Sequence, residues 1–252
     1  MAREASKESD GGCNRVPTKI LFDNSLYRFC NLDDVVVRPT EVTFDGITST
    51  IRLARVEPRT FDKWRQAEAS ALAEICDLAR QGSVIFCISD DLRWELWNSY
   101  ESVRTAHTGT ELLRDIAFEE VPVPITRHIF TSSAWKASKL ERTELCERLR
   151  QVGIAGRGAA WARSWAEVLS TFETESFIQL DRYAELCAGL SSTDDKLIDV
   201  FHLWTAERSN IPYFMTYDKT FVNFMTMTSK APLSTVPIFP SCVLARLKLS
   251  RS

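Results

Sequence analysis

The sequence predicts a three-layer α/β/α fold, in which helices cover both faces of a mostly parallel central sheet. Two observations predict it. Short apolar runs with polar ends alternate with longer segments whose apolar residues follow a helical spacing, which is the order that βαβ units require. Hydrophobic residues make up 44% of the 252 positions, enough for a core and too many for a mainly disordered chain. An inserted hairpin and extra helices complete the prediction.

The first elements are a buried strand and a hairpin. An apolar run at 19–22 ends at Asp23, Asn24 and Ser25, which predicts a strand followed by a polar turn. Residues 35–56 alternate in the manner of paired strands and are interrupted by Asp45-Gly46. That dipeptide favours the tight turn of a β-hairpin.

A helix, a second buried strand and another helix follow. Apolar residues recur at helical spacing over 59–80, and a glycine two positions later is expected to end this helix. The next apolar run, 84–88, predicts a strand. Ser89 or Asp90 is then expected to cap a helix that contains Glu95.

The second half of the chain is richer in helices. Residues 105–131 are mixed, and Val121-Pro-Val-Pro indicates an extended connection. Three further helices, interrupted by glycines at 153, 156 and 158, are predicted at 137–152, 159–169 and 175–188. The last predicted elements are a helix, two short strands and a final helix, at 195–209, 213–216, 236–239 and 242–249.

The domain organisation follows from these elements. We expect residues 1–17 to form a flexible tail and residues 18–252 a single domain with insertions at about 33–58 and 101–175. The seven cysteines form no C-x-x-C pair, which argues against a zinc ribbon and a disulfide framework. Reduced thiols fit a cytoplasmic protein best. No apolar run approaches the length of a membrane span, so we expect no membrane partner.

Charge is unevenly distributed, although the net charge is only −3. Between Arg127 and Arg163, eight Lys and Arg residues accompany three Glu; between Glu167 and Glu207, nine acids accompany two bases. Adjacent basic and acidic segments suit a protein that attracts a polyanion and handles it with a metal.

Four acidic residues are expected to meet at one edge of the predicted sheet. Asp23 and Asp218 each follow a strand, Glu95 lies in the helix after a strand, and Asp199 lies near the start of a helix. The carboxyl end of a parallel strand lies at the same edge as the start of the helix that precedes it. Such carboxylates repel one another unless a cation neutralises them, and oxygen ligands favour Mg²⁺ or Mn²⁺ over zinc. A cation bound there can activate water and stabilise developing negative charge.

The same residues give the chain a resemblance to the PIN-domain nucleases, a family that includes many toxin–antitoxin ribonucleases. The resemblance covers about a quarter of the chain. Its most specific part is Asp199-x-x-His202-x-x-x-Ala206-Glu207, followed by Tyr213-Phe-Met-Thr216-x-Asp218-Lys-x-Phe221. Ile88-Ser-x-x-x-x-x-Glu95-Leu resembles the middle acid of the family, and Phe22-Asp23-Asn-Ser25 resembles its opening motif. The spacers are longer than in compact members, with 72 positions from Asp23 to Glu95 and 104 from Glu95 to Asp199.

This resemblance implies a PIN-like α/β/α domain and a metal-dependent ribonuclease that hydrolyses RNA phosphodiester bonds. It implies Mg²⁺ or Mn²⁺ as cofactor and RNA as substrate. An antitoxin or other regulatory protein, and a second copy of the chain, are the implied partners. Metal-binding and catalytic roles fall on Asp23, Glu95, Asp199 and Asp218. Ser25 and Thr216 are implied to orient the ligands or the phosphate.

Several residues and the function itself leave alternatives open. Asp195 can aid the metal, although capping the helix at 195–209 is the simpler role. His202 can touch the site, although packing in the core is simpler. Arg157, Trp161 and Arg163 suit RNA, by charge and stacking, and equally a protein partner. The alternatives to a ribonuclease are a catalytically silent PIN-fold module that binds RNA or protein, and a DNA-directed structure-specific nuclease.

Overall fold

The structure, a computed structural model, describes residues 16–30, 33–58, 60–98, 111–126, 139–228 and 231–250. In this part of the chain there are seven strands: β1 (Thr18–Phe22), β2 (Asp33–Phe44), β3 (Ile47–Pro58), β4 (Val84–Ser89), β5 (Phe118–Val121), β6 (Tyr213–Met215) and β7 (Val236–Ile238). Five of them form the central sheet in the order β5-β4-β1-β6-β7, and every neighbouring pair is parallel.

The described residues form ten α-helices, which lie between and after the strands. They are α1 (Asn24–Cys30), α2 (Lys63–Arg80), α3 (Asp90–Asn98), α4 (Lys139–Ile154), α5 (Gly158–Ser164), α6 (Thr171–Ile178), α7 (Leu180–Leu186), α8 (Lys196–Arg208), α9 (Lys219–Asn223) and α10 (Pro240–Leu249). A 3₁₀ turn at Glu111–Leu113 and a π-helical turn at Phe224–Thr228 complete the elements. The hydroxyl of Ser89 accepts a hydrogen bond from the backbone N–H of Leu92, which confirms Ser89 as the cap of α3.

Both faces of the central sheet are buried, which confirms the predicted three-layer α/β/α architecture. The apolar residues of β1 are fully buried and alternate between two cores. Leu21 packs with residues of α4, α7 and α8 on one face. Ile20 and Phe22 pack with residues of α1, α2 and α10 on the other. The sheet is therefore a rigid layer on which the loops at its edge are positioned.

The predicted hairpin is confirmed as a separate two-stranded sheet. β2 pairs with β3 from Asp33↔Pro58 to Phe44↔Ile47. Asp45 and Gly46 have φ values of 50° and 77°. Two successive positive φ angles are what a two-residue turn between right-twisted strands requires.

One strand of the central sheet was not predicted from the sequence. β5 has the sequence Phe-Glu-Glu-Val, and it pairs with β4 at the edge of the sheet. Lys19 forms an ion pair with Glu119, and Arg93 contacts Glu120 at 2.5 Å. These ion pairs stabilise the two Glu residues of β5. In the sequence, the two acids interrupt the apolar run that would indicate a strand. The predicted extended connection begins at Val121, the last residue of β5.

The predicted helix break at Gly153 is wrong. α4 continues through Gly153 to Ile154. A Cβ atom at Gly153 would lie 2.1 Å from the carbonyl oxygen of Leu180, so glycine is needed where α4 crosses α7. Gly156, with a φ of 63°, lies in the turn that follows α4. The predicted helix at 175–188 is divided at Gln179 into α6 and α7.

Some predictions lie outside the described residues. These are residues 1–15 of the predicted tail, and residues 101–110 and 127–138 of the second predicted insertion. The division into one domain with two insertions therefore stays a prediction. In the described ranges, no helix combines the length and the apolar character needed to cross a membrane.

Strand order also identifies where the chain changes direction across the sheet. The chain passes from β1 to β4 and β5 on one side, and later adds β6 and β7 on the other side of β1. The loop after β1 therefore leads to one side of the sheet and the loop after β6 to the other, although β1 and β6 are neighbouring strands. Open parallel sheets bind ligands in the crevice at such a point.

Candidate active site

Asp23 lies directly after β1, at the carboxyl edge of the sheet, and only 8% of its surface is exposed. Its Oδ2 accepts a hydrogen bond from Oγ1 of Thr216 at 2.7 Å, and others from the hydroxyl and backbone N–H of Ser25. Burial raises the pKa of the Asp23 carboxyl above 3.8, while the hydrogen bonds from Ser25 and Thr216 oppose the rise. All three donors reach Oδ2, so Oδ1 has no hydrogen bond from the described residues.

Ser25 and Thr216 tie the loop after β1 to the loop after β6. Their hydroxyl oxygens lie 3.2 Å apart. The backbone N–H of Tyr217 donates to the Ser25 hydroxyl at 3.0 Å, and that of Asp218 donates to the Thr216 hydroxyl at 3.1 Å. The two residues predicted to support the site therefore do join its two main loops.

Asp218 caps the helix that starts immediately after it. Its Oδ1 accepts hydrogen bonds from the backbone N–H groups of Thr220 and Phe221 at 2.8 and 2.9 Å, and from the Thr220 hydroxyl at 2.7 Å. These bonds fix the carboxylate at the start of α9. They leave Oδ2 without a donor from the described residues.

Asp199 lies in the first turn of α8 and faces the same region. No residue in the described part of the chain donates a hydrogen bond to its side chain. Burial raises the pKa of the Asp199 carboxyl well above 3.8, and the charges of Asp23, Asp218 and Glu95 add to the rise. A carboxylate without a donor, beside other carboxylates, is the least stabilised charge of this group.

Glu95, in contrast, is surrounded by donors. Its Oε1 forms an ion pair with Nη1 of Arg142 and lies 3.2 Å from Nε2 of His202. Its Oε2 accepts a hydrogen bond from Nδ2 of Asn24 at 3.3 Å. His202 is 1% exposed, so it is buried as the simpler prediction has it, and it also contacts the site.

All four predicted acids line one cleft of about 850 Å³ at the carboxyl edge of the sheet. Asp23 and Asp218 follow β1 and β6, the two strands at which the chain changes direction. Asp199 and Glu95 enter the cleft from α8 and α3. The sequence therefore correctly predicts that residues up to 195 positions apart share one cleft.

Part of the cleft lining, called the aromatic wall below, is aromatic and carries a lysine. Phe29 stacks on Tyr217 with ring centroids 3.7 Å apart, and Trp64 meets Tyr217 edge to face. Nζ of the exposed Lys219 lies 3.5 Å above the ring of Trp64. Within the described residues, Lys219 has no carboxylate partner. The sequence offered a signal for Lys219, which directly follows Asp218, but none for Phe29 or Trp64.

The carboxylate oxygen atoms of this cleft suit a hard divalent cation. Three of the acids offer oxygen atoms that accept no hydrogen bond from the described residues: Asp23 at Oδ1, Asp218 at Oδ2, and Asp199. Mg²⁺ and Mn²⁺ prefer such oxygen ligands. In the described ranges, no three or more His, Cys, Asp or Glu residues are grouped so that they could hold a metal ion. A cation would therefore have to draw these carboxylates together.

Other predicted site residues have different surroundings. Asp195 lines the cleft, but its side chain pairs with Lys139 and forms no cap hydrogen bond, so the predicted cap is wrong. Trp161 stacks on Phe177 in the core, which removes one ring face from any contact with RNA. Arg157 lies just before α5 and Arg163 lies on it; both are exposed, and neither lines the cleft. The predicted RNA-binding role of these three residues stays a prediction.

Comparisons with known proteins give no relative. No family model, curated protein or solved structure matches the chain. The resemblance to PIN-domain nucleases therefore rests on the sequence motifs alone.

Proposed function

We propose that this protein is a Mg²⁺- or Mn²⁺-dependent ribonuclease with a PIN-like active site. The observation that carries the proposal is the Asp199 carboxylate. It has no hydrogen-bond donor from the described residues, its pKa is raised, and it lines the same cleft at the sheet edge as Asp23 and Asp218. Uncompensated acids in such a position are usual where a cation or a reaction needs them.

Each residue of the cleft has a role that follows from its contacts. Ser25 and Thr216 hold Oδ2 of Asp23 and so direct Oδ1 towards a ligand. The cap of α9 holds Asp218 in the same way. Asp199 supplies the third carboxylate. A divalent cation bound by these acids would activate a water molecule and stabilise the charge that develops on the phosphate.

The aromatic wall gives the RNA strand a place beside the acids. Lys219 can contact a phosphate, and the Trp64 ring beneath it can contact a base. Placing the strand here needs no contribution from Arg157, Trp161 or Arg163. The setting proposed from the resemblance is a cytoplasmic toxin that an antitoxin or another regulatory protein holds inactive.

An assay on purified protein tests the activity. Wild-type protein should cleave RNA with Mg²⁺ or Mn²⁺ and lose cleavage in EDTA. Asp23→Asn and Asp199→Asn should each reduce the rate by about 100-fold or more. Asp181→Asn, which removes an exposed acid at the start of α7 outside the cleft, is the matched control. Undiminished cleavage in both cleft variants would exclude these roles, and a flap DNA substrate distinguishes a ribonuclease from a DNA-directed enzyme.

A second candidate function is a non-catalytic module that binds RNA or protein. The ion pair between Arg142 and Glu95 favours it, because one of the four acids is already neutralised by the protein. Such a module would cleave neither RNA nor DNA. Its thermal stability would be the same with and without divalent metal.

A further inference from the structure

Arg142 contacts Glu95, the acid that the sequence predicts as the middle metal ligand. Its Nη1 forms an ion pair with Oε1 of Glu95, and both side chains are largely buried, with 19% and 16% of their surfaces exposed. Nε2 of His202 lies 3.2 Å from the same oxygen. A carboxylate that is bound by a guanidinium has less charge and fewer lone pairs to offer a metal.

The position of Arg142 is fixed by its helix. Arg142 lies in the first turn of α4, and further along the helix Leu145 and Leu149 are buried in the core that covers the sheet. Lys139, the first residue of the same turn, pairs with Asp195 before α8. The first turn of α4 therefore bridges α3 and α8 over the cleft, and the core holds it there.

The guanidinium is not fully satisfied in this position. Its Nε is buried and has no hydrogen-bond partner within the described part of the chain. Withdrawing Arg142 from Glu95 would therefore break no hydrogen bond at Nε. The ion pair can exchange for another arrangement more readily than a fully bonded arginine could.

We infer that Arg142 is an internal counter-cation that competes with the divalent metal for Glu95 and so sets the metal affinity of the cleft. The inference rests on the proposed metal-dependent function. Arg142 acts only through Glu95 and does not itself contact the metal or the substrate. A cation that must displace another from a shared ligand binds more weakly, and the linkage is reciprocal. The opposite role, in which Arg142 orients Glu95 as a ligand, predicts the opposite effect of removing it.

Mn²⁺ binding, measured by electron paramagnetic resonance on the full chain, tests this inference. Arg142→Gln should bind Mn²⁺ about tenfold more tightly than wild type, within the range that is usual for coupled sites. Lys139→Gln is the matched control, because it removes the same charge from the same turn of α4 while its partner is Asp195. It should change the affinity by less than about threefold, since that ion pair is exposed.

A double-mutant cycle with Glu95→Gln separates competition for Glu95 from a general effect of charge. In the Glu95→Gln background, Arg142→Gln should change Mn²⁺ affinity by less than about threefold, because the shared ligand is gone. An equal gain in both backgrounds overturns the inference. So does an unchanged or weaker affinity in Arg142→Gln alone.

Failure of this inference is distinguishable from failure of the proposed function. RNA cleavage by wild type with unchanged Mn²⁺ affinity in Arg142→Gln refutes the inference only. Tighter binding in Arg142→Gln without any cleavage by wild type refutes the ribonuclease only. Absence of Mn²⁺ binding in every variant refutes both. Thermal unfolding checks that each variant is folded; if Arg142→Gln is not, Arg142→Lys should show a smaller gain of the same sign, and no gain would refute the inference.

Discussion

Asp199→Asn should stabilise the metal-free protein while it removes the proposed activity. Asp199 has a raised pKa because it is buried and because Asp23, Asp218 and Glu95 repel its charge. Asparagine has the same shape and no charge, so the repulsion disappears without creating a cavity. Relieving an unfavourable charge at a functional site usually raises the free energy of unfolding by about 1–2 kcal/mol. For a chain of this length the melting temperature should then rise by about 2–8 °C.

The pH dependence of that gain follows from the direction of the pKa shift. Native Asp199 holds its proton to a higher pH than the unfolded chain does, because its native pKa is above 3.8. Wild-type protein therefore loses stability as the pH rises from the ordinary pKa through the native pKa. The advantage of Asp199→Asn should be complete above the native pKa and should shrink to zero as the pH falls to 3.8.

The assay is thermal unfolding in EDTA at neutral pH and at stepwise lower pH. Asp181→Asn, the exposed control on α7, should melt with wild type at every pH. Adding Mn²⁺ should raise the melting temperature of wild type and not that of Asp199→Asn, since only the protein that binds a ligand is stabilised by it. If Asp199→Asn melts at or below the wild-type temperature in EDTA at neutral pH, Asp199 is not the uncompensated charge described above.

Three further predictions concern other contacts. Thr216→Val removes the donor to Oδ2 of Asp23 and should lower kcat/KM for RNA roughly 10- to 100-fold at unchanged fold; full activity would show that this hydrogen bond does not orient Asp23. Trp64→Leu should weaken the binding of single-stranded RNA by about 1–3 kcal/mol, measured by fluorescence anisotropy with EDTA present to prevent cleavage. Arg163→Gln should leave this affinity unchanged. Weaker binding in Arg163→Gln and unchanged binding in Trp64→Leu would show that RNA does not bind at the aromatic wall. Gly153→Ala should destabilise the protein by about 1–3 kcal/mol or more in urea unfolding, because its Cβ would lie 2.1 Å from the Leu180 carbonyl oxygen; a neutral effect would contradict the close crossing of α4 and α7.

Much of the fold could be predicted because its central strands are uninterrupted apolar runs. Both faces of a parallel sheet are buried, so β1 ends in a run of three apolar residues and β4 begins with a run of five, and both runs are easily recognised. β5 could not be recognised, because Glu119 and Glu120 make ion pairs at the sheet edge that depend on distant residues. The role of Gly153 is not predictable from the sequence for a similar reason. Only the packed structure distinguishes a glycine that ends a helix from one that lets two helices cross closely.

The candidate site was predictable where topology alone brings residues together. The parallel arrangement of β1 and β6 places Asp23 beside the loop of Asp218, and the start of α8 adds Asp199. The partner of Glu95 was not predictable. Arg142 lies on a helix from the segment interpreted as an insertion, and only the packing of α4 on α7 and α8 brings it to the cleft.

The most direct test of the account is a crystal structure of the protein soaked in Mn²⁺, with the ion located by its anomalous scattering. We expect a Mn²⁺ peak in the cleft, bound by oxygen atoms of Asp23 and Asp199, with Arg142 withdrawn from Glu95. A cleft that stays empty under conditions in which Mn²⁺ stabilises the protein, or a peak outside it, would contradict the proposed metal site.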